Sequence, residues 1–511
     1  MCKILILIFA VTICLGANQS SEDILDSEGF SSWKALLHYK DNTSIIDEES
    51  PFFISKMGYK EPLLELNATI DTLKRDKNAS CRYPARLDFL LEYNLIKQDE
   101  LLKTSCEEYE TYLKKVPFDS VYFVFTAEDH SRIESLMGHS FIKIIGLDDE
   151  GVMRSHSFLF TALIFNDANV VDYARALFGG IDGSYQLAPY SAAVDTYVNL
   201  QKRSLWEFEL NLSPKAKTRL RKHMWELKST PIVYKFITNN CNTAVEMVLG
   251  VADKTFSDDK YWLFSTPVEY LQELSRKDKI KSVSMQPSKN DKEGIARFGV
   301  HYPLDMPSAS RMAIEGFDGG FRLSMLPSYR DKRTISNSSA IEYDSKIFEL
   351  IVKFDKEGVN LERFNLIAME SIGDYRIIGL SKVFRLALEE SRQKYLGGVF
   401  EWGRGVGFSP LNGTTVYTMG KIGAIYDGKA DFFAAANTGI ITYLGANAKL
   451  LASYEYFWDS NVKYRDFKKQ LNIFAVYAPL SLDWDIYTEL ELKHDEINSR
   501  LNASIGFSIY F

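Results

Sequence analysis

The sequence predicts an α+β chain that ends in an antiparallel transmembrane β-barrel of about 12 strands, and three observations carry that prediction. The C-terminal two-fifths repeats long segments that alternate apolar and polar residues. The middle of the chain mixes short apolar runs with amphipathic helical spacing. The hundred residues before it show helical spacing with few strand signals. At 511 residues the chain exceeds one hydrophobic core. The divisions expected are a signal peptide (1–17), an α-helical N-terminal domain (18–118), an α+β cysteine domain (119–252), a connector (253–295) and the barrel (296–511).

The first residues have the form of a secretory signal. Lys3 supplies a positive start, Ile4 to Leu15 form a short apolar run, and Gly16 and Ala17 are small enough for a signal peptidase. A dozen apolar residues fall short of the roughly 20 that a spanning helix needs, and bulky Ile13 before Cys14 argues against lipidation. Export to an oxidising compartment follows, which makes Cys81 and Cys106 expected disulfide partners and leaves Cys241 as a lone thiol.

In the helical domain, Leu63, Leu64, Ile70 and Leu73 fit one helix face, and Leu87, Leu90 and Leu91 fit another. Pro117 marks a boundary. Val121 to Phe125 then reads as a buried strand, followed by His139 to Ile145 and His156 to Phe160 around the turn-forming Asp148, Asp149 and Gly151. Trp206 to Leu212 adds a strand, and Ser213 with Pro214 opens a helix that runs to Leu227. The 253–295 stretch is charged and polar, as a connector would be.

Near the C-terminus, Leu501, Ala503, Ile505, Phe507, Ile509 and Phe511 alternate with Asn502, Ser504, Gly506, Ser508 and Tyr510. The segment before it sets Leu482, Trp484, Ile486, Leu490 and Leu492 against Asp483, Asp485, Glu489, Glu491 and Lys493. Each segment has the length and the two-faced pattern of a strand crossing a bilayer at a tilt. Similar segments recur back to about Arg297. A signal peptide, such strands and a terminal Phe together resemble a bacterial outer-membrane barrel; a soluble β-domain with alternating faces is the competing reading.

Composition excludes one partner class. With 60 basic and 68 acidic residues and a net charge of -8, the chain has no basic footprint for nucleic acid.

The candidate chemistry centres on Cys241. Asn239 or Asn240 can cap a helix whose apolar face is Ala244, Val245, Val248 and Leu249, with Gly250 as its end. A sulfur in the first turn meets unpaired amides and the positive end of the helix dipole, which favour thiolate over thiol. His139, following Gly138 at a strand start, is the expected base, and His156 on the next strand is the expected residue to orient it. Asp129 and His130 with His139 match no standard zinc spacing, so no metal or cofactor is expected.

These residues resemble the Lnb-type N-terminal periplasmic domain family, named after a lipoprotein N-acyltransferase. The resemblance rests on Cys81-Arg82-Tyr83-Pro84-Ala85-Arg86, Cys106, Gly138-His139-Ser140-Phe141, Phe178-Gly179-Gly180 with Gly183, Pro189-Tyr190, Leu205 to Leu210, Trp225-Glu226-Leu227 and Asn240-Cys241. The order of His before Cys is also similar to the circularly permuted papain-like group that includes lecithin:retinol acyltransferase. The resemblance implies a permuted papain-like fold in which Cys241 is the nucleophile and His139 the base. It also implies an acyl thioester as intermediate, lipoprotein and phospholipid as substrates, and a periplasmic site held at the outer membrane. This chain departs from the family at His156-Ser157, where an Asn-Tyr pair is usual, and in carrying a barrel where members with established acyltransferase activity carry membrane helices. The Gly179 to Tyr190 stretch is expected to be a glycine turn or a lipid-lining loop. Competing readings are a periplasmic cysteine hydrolase of peptidoglycan peptides or amides, and a non-enzymatic barrel with a periplasmic plug.

Overall fold

The structure, a computed structural model, describes residues 27–129, 135, 137–162, 175, 180–257, 266–289, 291–292, 302–335, 341–390, 396–459, 468–478, 483–494 and 498–511. The expected signal sequence, His130, Phe178 and Gly179 lie outside them. Helices α1 (Ser27–Leu36), α2 (Pro62–Arg75), α3 (Ala79–Arg82), α4 (Pro84–Glu92) and α5 (Glu107–Lys115) make up the first lobe. A two-residue ribbon of β1 (Tyr39–Lys40) and β2 (Thr43–Ser44) interrupts them. Pro at N1 opens both α2 and α4, where its missing N–H costs no helical hydrogen bond. The buried face of α2 is Glu65, Leu66, Thr69 and Leu73, whereas Leu64, expected inside, is half-exposed. Buried Arg86 accounts for the polar inner position, since it pairs with Glu65 at 2.7 Å. Cys81 and Cys106 form the expected disulfide, with Cα atoms 5.3 Å apart.

Seven antiparallel strands follow, β3 (Ser120–Thr126), β4 (His139–Leu147), β5 (Met153–Ala162), β6 (Ile181–Pro189), β7 (Leu205–Leu210), β8 (Pro231–Tyr234) and β9 (Ile280–Gln286), in the order β8-β6-β5-β4-β3-β7-β9. Between them lie α6 (Tyr190–Val194), α7 (Pro214–Leu227), α8 (Cys241–Ala252) and α9 (Pro267–Arg276). Two expectations are corrected here. Residues 181–189 are a sheet strand paired with β5 and β8 rather than a loop. The 253–295 stretch is more than a connector, because α9 buries Val268, Tyr270, Leu271 and Leu274 and β9 completes the sheet beside β7. β9 was hidden in the sequence because an edge strand is held by backbone hydrogen bonds and leaves Lys281, Ser282, Val283 and Ser284 exposed.

The helical lobe shares a single core with this sheet. Trp33, Leu66 and Leu90 pack in the same cluster as Phe123, Ile142, Leu220 and Val245. The other sheet face is covered by α6 and the helical turn at Asp195–Leu200, through Val124, Phe141, Tyr190 and Tyr197.

The rest of the described chain is a barrel of β10 (Arg311–Phe317), β11 (Gly320–Leu326), β12 (Ser328–Arg330), β13 (Ile341–Asp355), β14 (Gly358–Gly373), β15 (Ser381–Glu390), β16 (Leu396–Leu411), β17 (Thr414–Tyr426), β18 (Ala430–Tyr443), β19 (Ala448–Asp459), β20 (Lys469–Tyr477), β21 (Trp484–His494) and β22 (Ser499–Tyr510). The ring closes because β10 pairs with both β11 and β22 while β11 also pairs with β13, which gives twelve strands around the wall with β12 a short continuation of β11. β10 is the strand the alternation pattern missed.

Ile486, Leu490, Leu492, Ile505, Phe507 and Ile509 face outward and are exposed, while Asp485, Tyr487, Ser508 and Tyr510 are buried inside. Charged pairs fill the interior, including Lys421 with Glu401 and Glu455, Lys449 with Glu342, and Arg322 with Glu315 and Glu362. An apolar belt outside and satisfied charges inside are what a bilayer requires of a strand-built span. Among the described residues, no helix is long and apolar enough to cross a membrane.

The chain enters the barrel at Arg311 and leaves at Tyr510, which are paired neighbours, so both barrel termini lie at one end. From that end the sheet domain grips the wall. Phe236, with Met137 and Ile237, packs on Ile347, Ile367 and Met369, flanked by Phe348 and Phe384.

Candidate active site

Asn240 is the N-cap of α8, and its side-chain oxygen accepts from the N–H groups of Asn242 and Thr243, both at 3.0 Å. Its amide donates to Phe236 O at 3.2 Å, which ties the cap to the preceding loop. Cys241 is therefore the first helical residue, as the sequence implied. The helix runs past Gly250 to Ala252 and is capped at Asp253; a Cβ at Gly250 would meet Ser257 Oγ, which would have to turn away.

Three donors act on the Cys241 sulfur: the N–H and the hydroxyl of Ser140 and, to a lesser extent, the N–H of Asn242, whose one proton is shared with the Asn240 cap oxygen. The Ser140 hydroxyl also lies 3.4 Å from Asn242 Oδ1, and its one proton serves either acceptor. Burial nonetheless pushes the Cys241 thiol up, with these donors and the Arg203 guanidinium pulling in the opposite direction. The expected thiolate is thus corrected to a thiol. Taking a sulfur anion out of water outweighs these hydrogen bonds and the Arg203 charge together.

His139 begins β4 directly after Gly138, whose φ of +78° and position against Phe125 and Thr126 O leave no room for a Cβ. Strand alternation puts His139 with Phe141 on one face of β4 and Ser140 with Ile142 and Ile144 on the other, where α8 packs. Imidazole and sulfur thus lie on opposite faces of β4, His139 Nε2 makes no hydrogen bond to the sulfur, and what the two groups share is neighbours. Tyr197 lies 5.7 Å from the His139 ring and interacts with Cys241, and Arg203 acts on both groups. Arg203 is held by Ala127 O at 2.6 Å and Gln201 Oε1 at 3.0 Å and sits over the Tyr197 ring. Burial first and Arg203 second push His139 down to about 3, so the ring is neutral at physiological pH. His139 Nε2 is buried without a hydrogen-bond partner among the described residues, as is Thr126 Oγ1 on the residue paired across from it.

His156 does not orient this ring. Register pairs it with Ile144 and Pro189, five residues along β4 from His139, or about 16 Å at the usual strand rise. The turn between β4 and β5 decided this, since a hairpin brings together residues equidistant from its tip, and His156 is much nearer the tip than His139. Asp129 donates its N–H to Ser135 O in the loop beyond β3, and no cluster of three metal-ligating side chains occurs among the described residues.

Sequence reasoning missed Ser140, Asn242, Tyr197 and Arg203. The two-residue period of β4 carried a signal for Ser140, which stands in line with the core-facing Ile142 and Ile144. Arg203 had none, because only the folded sheet brings it near Cys241.

Residues 108–277 match the family model of the Lnb N-terminal periplasmic domain, and residues 28–93 match a domain of unknown function, DUF7843. No curated protein matches the chain. Among solved structures, the NanC porin is 8% identical, with 40% of this chain and 98% of that chain covered at a TM-score of 0.26. The KdgM porin in complex with disordered oligogalacturonate is 12% identical over 40% and 98%, at 0.25. OmpT, an outer membrane protein of Vibrio cholerae, is 8% identical over 39% and 95%, at 0.20. Overlaps this loose leave the barrel to be identified by its own closed pairing and apolar belt. The chain thus joins an Lnb N-terminal periplasmic domain to a closed twelve-strand β-barrel of the outer membrane.

Proposed function

We propose that the protein is a cell-envelope cysteine acyltransferase that moves an acyl chain from a phospholipid to a lipoprotein amine through a thioester on Cys241. The convergence of three donors on one sulfur at a helix start is the observation that carries this reading. A buried structural cysteine needs no such set, whereas a nucleophile that must pass through the anion uses every one.

In the first half-reaction the Cys241 proton goes to His139 as sulfur attacks the ester carbonyl. The ester C–O bond then breaks, and the same proton leaves with the lysophospholipid oxygen. In the second, the lipoprotein amine attacks the thioester, the C–N bond forms, the C–S bond breaks, and the amine proton returns to sulfur by way of the imidazole. Ser140 and Asn242 stabilise the sulfur anion whenever it is formed or expelled, and a neutral His139 is ready to accept a proton.

The test supplies purified protein with phospholipid labelled in its acyl chains and a diacylglyceryl peptide bearing a free N-terminal amine. The expected product is labelled amide, absent with Cys241→Ala. Release of labelled free fatty acid alone, or cleavage of muropeptides without lipid turnover, would replace acyl transfer with hydrolysis.

A further inference from the structure

The contact between the periplasmic domain and the barrel falls on an unusual surface. Along β13 and β14, Lys346 and Glu370 point inward, where Lys346 meets Asp331 and Asp344 and Glu370 meets Lys332. Their neighbours Ile347 and Met369 therefore point outward, to the side where other strands expose Trp402, Ile422, Ile473 and Ile505 to lipid. Ile347 pairs with Ile367 six residues in from the Ile341–Gly373 pair, about 20 Å along the strand from the periplasmic end. All three side chains are buried by Phe236 and its neighbours rather than left for lipid.

The residues that cover this wall are also those that frame the site. Met137 lies two positions before His139, Phe236 lies five before Cys241, and the Phe236 carbonyl holds the amide of the Asn240 cap. The loops that flank His139 and Cys241 in sequence thus stand against the outer wall of the barrel.

We propose that the Cys241 site takes its acyl donor sideways from the inner leaflet, through the seam between the Met137 and Phe236–Ile237 loops and the outer wall of β13, β14 and β15. In this arrangement the barrel is neither a conduit nor a plain tether, since its wall forms one side of the lipid entrance. The proposal rests on the acyl-transfer reading for its chemistry, while the entrance itself stands on the geometry of the contact.

The experiment uses the full chain in outer-membrane vesicles containing phosphatidylethanolamine with a photoreactive diazirine at the end of one acyl chain. After irradiation, peptides carrying lipid are identified by mass spectrometry. Labelled peptides covering 137–145 or 234–240 are expected, in the wild type and equally in Cys241→Ala, because proximity does not need the thiol. Ile367→Asp with Met369→Asp is expected to cut that labelling at least fivefold while the barrel still shows its folded mobility on gels. Label confined to strands such as β16 to β22 would overturn the lateral entrance. Label at the loops without any acyl adduct on Cys241 would keep the entrance and refute acyl transfer, and an adduct formed equally well from a water-soluble short-chain ester in the double variant would refute the entrance alone.

Discussion

At the scale of single residues, the site sets a helix start and three hydrogen bonds against burial, and burial prevails at Cys241. The sign fixes the pH dependence. A thiol raised above its ordinary value reacts slowly at pH 7 and gains rate as the pH climbs beyond that of free cysteine. Iodoacetamide alkylation of Cys241 in the folded protein, followed by mass, is expected to show that displaced midpoint; a midpoint below free cysteine would mean that the helix terminus dominates. Ser140→Ala removes one donor to the anion and is expected to slow alkylation at pH 7 by about fivefold, the equivalent of roughly 1 kcal/mol. Because His139 is held down to about 3, turnover should show no acid limb between pH 5 and 7. The cysteine and its cap were legible in the sequence because capping is written within four residues. Ser140 was half legible through strand period, and Arg203 was not legible at all because only tertiary structure brings it there.

At the scale of elements, Asn240 does two jobs that one substitution separates from the chemistry. Asn240→Ala loses both amide partners at the start of α8, and a stability loss of about 1–2 kcal/mol is expected in thermal unfolding. Asn240→Asp keeps the acceptor and should retain most of that stability. Elsewhere in the same core, His38 and His223 face each other with Nε2 atoms 2.8 Å apart, both buried, and burial pushes His38 down to about 3 and His223 well below its ordinary range. Between pH 6.5 and 3 the unfolded chain takes up protons at these rings that the folded chain refuses, so stability falls as pH drops through 6.5, by about 1.4 kcal/mol per pH unit for each ring. Glu226, raised by burial to about 7, works the other way. Its contribution is complete below its unfolded value of 4.5 and is lost as pH rises through 7, so it offsets one histidine between pH 4.5 and 6.5. His139, also held down to about 3, adds to the histidine side, so melting temperature is expected to fall from pH 6.5 to 4.5 and more steeply below. A flat profile over that range would show that the two rings are charged in the folded chain. None of this was visible in the sequence, where His38 and His223 stand 185 residues apart.

At the scale of the whole molecule, the barrel was the most legible part. Lipid on one side and charge on the other impose a two-residue period on the long strands, and β10 escaped because apolar Ala313 and Phe317 share the inward face with Arg311 and Glu315 while Gly316 brings no side chain to the outward one. Closure, and what lies inside it, were not legible, because they depend on which strands meet. The segment after β12 folds inward: Asp331 pairs with Arg311 at 3.1 Å, Arg333 with Glu489 at 2.7 Å, Lys332 with Glu370, and buried Ile335 packs among Tyr417, Met419 and Phe474. Pairs placed across the lumen are expected to close it to solutes. Planar-bilayer recordings should show no steady conductance for the wild type, and Lys332→Ala with Arg333→Ala should give open events; a constant porin-sized current from the wild type would contradict this.

The proposed acyl transfer requires Cys241 to carry an acyl group between its two half-reactions. The most direct measurement is the intact mass of the full chain after exposure to phosphatidylethanolamine in the absence of any amine acceptor. The account predicts a mass increase of one acyl chain on Cys241, removed by neutral hydroxylamine as a thioester is and missing in Cys241→Ser. A chain that keeps its unmodified mass while Cys241 remains open to alkylation would contradict it.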